Sequence, residues 1–543
     1  MIEAFAAKSG SRSLRVDGIA LHSPYDPVHE ARRFVREGLG TDPPATVLVL
    51  GEGLGYVGDA VVDLFPGARV IQVHYSAEVS RLSRPPTGPA WAPGEKPDLA
   101  TFLLSHIGEL DVEGLRVIEW PPSARSSPSV SRQANDAVRG VIQQLNGSLV
   151  TTIGAGRRWI RNSIANFLAF ESVLVGAPCA EDRPVLVAAP GPSLEESVKL
   201  IRAVLPLVDL WALPSSLPLL REEGIEPDLV VMTDPGHFSI HHLAHALPGC
   251  PLAMPISAAR GSWNLPARTD GQPPAVPFLL SQPGFLEEAL LDAAGVRAPR
   301  VPPHGTVAAT ALDLALASTR APVIVAGLDM CLRDTCSHAR PNAFDTLFHL
   351  RASRTAPHDG LVYWWSVEQH ATRLEGATGV RTSLSLRTYA GWFNQVDAEE
   401  GRTVYRLLPS PVVLAGMRAL DGAGLRDLVA GAPRGHRGPR ARRHPRYPDR
   451  DRRVKIVAGL ISDWTRRLES ATRPESDVAG LDVVARDASL FSLVHDIEPV
   501  RLLEARRRMR HGDRAGAREA AAGMLDGCRA FLRSLAEKTL ASG

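Results

Sequence analysis

The sequence predicts an α/β protein with a Rossmann-like N-terminal domain, a central α/β domain and a C-terminal helical domain. Three observations carry this. Over 46–76 two apolar runs flank a glycine-rich turn and a helical stretch; from Pro184 to about Gly327 strand-like and helix-like segments alternate; beyond 453 the pattern is helical throughout. A chain of 543 residues also exceeds what a single core supports. The expected division is 1–176, 177–430, a linker over 431–453, and 454–543.

Composition narrows the class. With 44% hydrophobic and 22% charged residues this is an ordinary globular chain, and a net charge of +2 argues against a dedicated nucleic-acid binder. Five scattered cysteines make no disulfide framework, and no second pair joins Cys331 and Cys336 to complete a zinc site. The start, MIEAFAAKSGSRSLRV, has no signal-peptide core, and the longest apolar stretch, VLPLVDLWALPSSLPLL, is broken by Asp209 and by prolines. The expectation is a cytoplasmic protein with no membrane span and no nucleic-acid partner.

Taken in order, the first unit is TVLVLGEGLGYVGDAVVDLFPGARVIQVHYS, with its turn at Gly51, Gly53 and Gly55. A dinucleotide or S-adenosylmethionine site would want a carboxylate ending the second strand. That strand ends Val73-His74-Tyr75, with Glu78 several residues late, so the turn reads first as an architectural device for close helix–strand packing. A helix follows over roughly 157–175 and places Trp159, Asn162 and Asn166 on one face. The Asn pair could line a ligand cleft or tie the backbone of adjoining loops. Strands are expected at 185–189, 228–233, 276–280 and 322–327. The Pro/Gly/Arg-rich run 431–453 reads as a solvated linker that could also meet an acidic partner. After it Val457, Leu460, Ile461, Trp464 and Leu468 mark one apolar helix face in a candidate docking module.

Chemistry concentrates at the ends of these strands. In PVLVAAPGPSLEES, Ser193 with Glu196 fits a capping box, and Gly191 beside Pro192 lets the backbone approach a ligand. A helix N-terminus offers free N–H groups and a positive dipole end to one phosphate, and no P-loop lysine follows. Asp234 closes the next expected strand and could hold a ribose, a substrate amine or hydroxyl, or a metal; Asp-Pro is also a common turn opener. His237, His241 and His245 recur at helical spacing, without the Glu of a zinc-protease helix. Gly305 and Thr306 open a second helix, and Asp329 at a strand end with His338 in the next loop suits acid–base work.

Together AAPGPSLEES, PDLVVMTDPG and GTVAATALDLALASTRAPVIVAGLDM, with the later SHA, resemble the domain shared by motility-associated-factor (Maf) flagellin glycosyltransferases and MptE-like 6-hydroxymethylpterin pyrophosphokinases. LHSPYDPVHEARRFV, LGEGLGYVGDAV and TTIGAGRRWIRNSIANF favour the Maf side, and the resemblance spans roughly residues 20–420. It departs at Gly327-Leu328-Asp329-Met330, where the family often reads Gly-Gln-Asp-Leu.

The resemblance implies a sialyltransferase-like central domain that moves a nonulosonic acid, of pseudaminic or legionaminic type, from a CMP-activated donor to Ser or Thr of flagellin. It implies no metal and no cofactor beyond that donor. Gly191, Pro192 and Ser193 would lie at the CMP phosphate; Asp234, Gly305 and Thr306 would line the nucleotide or sugar site; Asp329 and His338 would stand near the reacting hydroxyl, with His338 as base. The rivals are a Mg-ATP-dependent pterin pyrophosphokinase using Asp234 and Asp329, and a non-catalytic flagellin chaperone or adaptor docking through the Arg-rich run and helical tail.

Overall fold

The computed structural model describes residues 2–541 apart from 245–250, 265–275, 283–285, 369–371, 374–379, 395, 397–401, 436 and 472–478. It forms two compact units, each gathered from separate stretches of chain. One comprises Met1–Gly154, Glu469–Asp487 and Glu498–Cys528; the other comprises Ala155–Leu468, Ala488–Ile497 and Arg529–Gly543.

In the first unit β1 (Ile2–Ala6), β2 (Arg12–Val16) and β3 (Ile19–Ala20) make an antiparallel sheet. Next come β4 (Thr46–Leu50), β5 (Arg69–Val73), β6 (Ala90–Trp91) and β7 (Leu115–Glu119), a parallel sheet in the order β6-β5-β4-β7. Alternation along β4 supplies two cores, as a central parallel strand covered on both faces requires. Val47 and Val49 pack with Val57 and Val61 of the helix Tyr56–Leu64, whereas Leu48 and Leu50 face Leu103 and Val138. The Rossmann-like start expected over 46–76 is present.

The second unit is built on one sheet. Its strands are β8 (Leu174–Ala177), β9 (Val185–Ala188), β10 (Asp209–Ala212), β11 (Leu229–Val231), β12 (Leu252–Pro255), β13 (Pro277–Leu280) and β14 (Val323–Ala326). A small antiparallel sheet of β15 (Leu332–Arg333), β16 (Thr372–Arg373) and β17 (Val380–Thr382) intervenes before β18 (Val404–Leu407), β19 (Arg418–Leu420) and β20 (Arg440–Arg443). The large sheet runs β19-β18-β14-β9-β10-β11-β12-β13-β8-β20, parallel throughout except for β20. From β9 the chain winds one way to β13, then returns to β14 on the other side of β9. The β9/β14 boundary is therefore the switch point, the place where open α/β sheets receive ligands beyond the carboxyl ends of their strands.

All four strands expected in the central region form. The helix expected over 157–175 is the end of a longer one, Pro128–Ala169, whose earlier part carries Gly140, Gly147 and Gly154. The divisions after residue 430 differ from expectation. Arg440–Arg443 is no solvated linker: it pairs antiparallel with β8. The approach to it is held by Arg437, which donates to Asp228 at 2.9 Å, and by Gly438 N donating to Asp209 at 3.1 Å. Buried Arg183 pairs with Asp209 at 2.9 Å and donates to Pro433 O at 2.6 Å. The tail is not one helical domain either, because its helices divide between the two units. Its expected apolar face is real: Val457, Ile461, Trp464 and Leu468 of the helix Arg450–Ala471 are buried. A run already engaged by the sheet weakens the case for a free adaptor surface. Among the described residues no helix is long and apolar enough to cross a membrane.

Candidate functional site

At the switch point the turn after β9 lies against the turn after β14. Ala189 N donates to Ala326 O and Gly191 N to Gly327 O, each at 2.8 Å. A Cβ on Gly191 would strike Gly327 O and the Asp329 carboxylate, so only glycine fits. Gly327 has φ +70°, and its own Cβ would strike Ala189 O. The two glycines seen in the sequence thus let two strand ends touch.

Ser193 does not form the expected capping box. It is already helical, at φ −68° and ψ −11°, with no side-chain cap bond to the helix Leu194–Val204. Instead its N–H donates to Asp329 Oδ2 at 2.6 Å and its hydroxyl to Asp329 Oδ1 at 2.5 Å. The competing partner lies 136 residues away, and no local pattern signals it. The carboxylate of Asp329 therefore occupies the helix N-terminus that the sequence offers to a phosphate. Burial pushes the Asp329 carboxyl above its usual range, against the opposing pull of the Ser193 and Ser410 hydrogen bonds. Both its oxygens serve this turn, which makes Asp329 a positioning residue here and a poor candidate for a reacting acid or a metal ligand. Nearby, Arg406 of β18 is 4% exposed, donates to Ser410 O at 2.9 Å and feels the Asp329 charge.

His338 lies over the same turn, because the next residue, Ala339, donates its N–H to Pro190 O at 2.7 Å. Its Nδ1 meets the Ser337 hydroxyl at 2.8 Å, and its ring lies 5.5 Å from Phe344 and 6.2 Å from His242. Burial lowers its pKa to about 4, so the imidazole is neutral at ordinary pH and can accept a proton.

A second cluster forms around Asp234, which is exposed at the end of the turn after β11. Its Oδ1 accepts from Gly236 N at 2.6 Å, the local turn foreseen for Asp-Pro. Tyr389, from the helix Leu384–Asn394, is pushed upward in pKa by burial and by the nearby Asp234 charge. The same ring faces Gly305, whose Cβ position would lie 3.5 Å from Tyr389 Cε1. So Asp234 and the start of the helix Val307–Ser318 meet across a residue the sequence reading did not single out. That helix has Thr306 as an extended N-cap that makes no side-chain cap bond, whereas the start of the Leu194–Val204 helix carries the Asp329 carboxylate. His304 just before it packs at a tilt against Trp392, with ring centres 4.5 Å apart, and meets Asp313 at 3.1 Å.

The short helix Phe238–Leu243 connects the clusters: it begins just beyond Asp234 and brings His242 to His338 and Phe344. His237 and His241 lie 5.2 Å apart edge to face, and His245 falls outside the described residues. Among the described residues no group of three or more His, Cys, Asp or Glu is arranged to hold a metal. The aromatic signal for Tyr389 was present in LSLRTYAGWFN, but its target is distant in sequence and gives no spacing to recognise.

The glycine turn of the first unit is filled by its own side chains. Glu52, buried, accepts from Gly58 N at 3.0 Å, Val57 N at 3.3 Å and Gln72 Nε2 at 3.2 Å. His22 Nε2 accepts from Leu54 N at 2.9 Å and occupies the space a Gly53 side chain would need. The architectural reading fits these contacts, since the N–H groups a phosphate would use are already engaged.

Comparison with known proteins extends the picture. Residues 159–335 match the model of the family described as 6-hydroxymethylpterin diphosphokinase MptE-like. A protein of Treponema pallidum (strain Nichols), described only as an uncharacterized protein, is 27% identical over 309 residues, which is 57% of this chain. The chain spans 63% of that relative's length. A solved structure of the MAf glycosyltransferase from Magnetospirillum magneticum AMB-1 superposes with a TM-score of 0.55 at 14% identity. That likeness covers 99% of this chain and 92% of the other.

Proposed function

Since the chain takes the fold of a Maf glycosyltransferase around an MptE-like domain, we propose that it transfers a nonulosonic acid from a CMP-activated donor to a Ser or Thr hydroxyl of flagellin. The observation that carries this is the extent of the fold likeness, 99% of the chain, around a sheet at whose carboxyl ends the helix Val307–Ser318 begins without a side-chain cap bond from Thr306. CMP-sugar transfer needs to stabilise one departing phosphate, which N–H donors and a helix dipole can do without a triphosphate loop.

In this reading the donor phosphate sits at the start of the Val307–Ser318 helix, with Tyr389 and Asp234 beside it on the nucleotide or sugar. The Gly191-Pro192-Ser193 turn, locked by Asp329, forms the floor and supplies no free donors from Gly191 or Ser193. The acceptor oxygen attacks the anomeric carbon as its bond to the CMP phosphate breaks, and the hydroxyl proton passes to His338 Nε2. Nδ1 is already engaged with Ser337.

The test is intact mass. Flagellin incubated with the purified protein and a CMP-nonulosonic acid should gain mass in units of one nonulosonic acid residue. Unchanged flagellin mass with several such donors would sink the proposal. A second reading rests on the 159–335 match to a diphosphokinase-like family. Thermal melting separates the two: stabilisation by CMP in EDTA favours transfer, whereas stabilisation that requires Mg-ATP favours the kinase.

A further inference from the structure

We propose that Asn162 and Asn166 are positioning residues of the donor site, clamping the loops after β11 and β12 into one rigid rim without touching the ligand. This rests on the donor-site reading above.

The two loops leave the sheet at its carboxyl edge, where strand pairing no longer satisfies their carbonyl groups. Asn162, 7% exposed, donates through Nδ2 to Pro235 O at 3.2 Å and to Ser257 O at 3.1 Å. Asn166, fully buried, donates to Ile256 O and Ala258 O, each at 2.9 Å, and its Oδ1 accepts from Gly261 N at 3.4 Å. A carboxamide has two N–H hydrogens, and both amides use both. Two side chains from one helix face thus satisfy four carbonyls on two loops.

The first of those carbonyls belongs to the residue after Asp234. The loops are also joined directly, since Ala259 N donates to Asp234 O at 2.9 Å. A third side chain extends the rim: buried Glu287 accepts from Ser257 N at 3.2 Å and from Gln282 N, the latter in the loop after β13. Apolar residues could fill the same helix–loop interface, but they would leave these four carbonyls without the amide donors. What the amides add is a fixed placement of Asp234 relative to the neighbouring strand ends.

Leucine keeps the branched skeleton of asparagine but is bulkier and donates nothing, so Asn162→Leu and Asn166→Leu remove the amide bonds, and Asn162→Ala, which adds no volume, separates lost clamping from overpacking. Two readouts apply: amide hydrogen exchange, and CMP affinity by calorimetry. Exchange in 232–237 and 256–262 should rise by about tenfold or more while that of β9 and β14 stays as in wild type. CMP should bind about tenfold more weakly at an unchanged number of sites. Wild-type CMP affinity, or an exchange increase spread over the whole sheet, would overturn the clamp. Should Asn166→Leu fail to fold, Asn162→Leu carries the test, being the less buried of the two. If wild-type protein does not bind CMP, the donor reading falls, and the exchange measurement alone decides whether the amides hold the loops.

Discussion

Ser193 and Asp329 show what one hydroxyl contributes when its partner is a buried carboxylate. Ser193→Ala removes the 2.5 Å bond and leaves Asp329 Oδ1 without that donor, at a cost of about 1–3 kcal/mol. Chemical denaturation followed by circular dichroism should register it as a lower midpoint with the same slope. His338 makes a different prediction. Its pKa is lowered to about 4 by burial, so the base form persists as pH falls until that value is approached. If it accepts the proton, transfer should be nearly flat from about pH 5.5 to pH 8 and drop only towards pH 4. A half-maximal rate near the ordinary histidine value would assign the proton to another group. Tyr389→Phe keeps the ring against Gly305 and removes only the hydroxyl; CMP affinity by calorimetry should fall about tenfold.

At the level of elements, the glycine turn of β4 and its helix shows how a ligand-like geometry becomes a structural joint. Burial raises the Glu52 carboxyl to about 7, against the opposing pull of its hydrogen bonds to Gln72, Gly58 and Val57. A carboxyl raised on folding gives a stabilising contribution that is complete below its ordinary range and is lost as pH rises through the folded value. The wild-type first unit should therefore lose stability between about pH 5 and pH 8, and Glu52→Gln should flatten that slope. The melting temperature of the variant minus that of wild type, measured across this window, should increase with pH; a constant difference would refute it.

The same scale explains what was legible beforehand. Val185–Ala188 and Val323–Ala326 were evident because short valine-rich runs bounded by proline and glycine have few alternatives. Arg440–Arg443 was hidden because a strand of three arginines and one alanine owes its existence to backbone pairing with β8. Asp209–Ala212 was masked by surrounding prolines and by an apolar stretch first weighed as a membrane span. Gly191, Asp234 and Asp329 lie in the turns after β9, β11 and β14, Gly305 precedes the helix Val307–Ser318, and His338 lies beside Ala339, which bonds the turn after β9. The partnership of Ser193 with Asp329, and the presence of Tyr389, depend on contacts between distant stretches that no local pattern encodes.

For the molecule as a whole, the second unit is closed by residues that sequence order separates widely. Arg183, 2% exposed, links Asp209 to the carbonyl of Pro433, and the return of the chain to β8 follows from there. Removing one member of such a buried pair costs about 3–5 kcal/mol because the other charge stays buried. Arg183→Leu should therefore loosen 433–443 first, and limited trypsin digestion should cut at its arginines well before the rest of the unit. Equal cleavage rates in variant and wild type would show that β20 holds without this tie.

The lock between Ser193 and Asp329 also bears on how the protein comes into being. A ribosome delivers β9 and its turn long before β14 exists, so a nascent chain carries the Ser193 hydroxyl and N–H groups without the carboxylate that receives them. The floor of the cleft can close only when the winding past β13 is complete and β14 has docked beside β9. A half-made copy of this chain therefore lacks the Ser193–Asp329 lock, and a product truncated before β14 cannot form it.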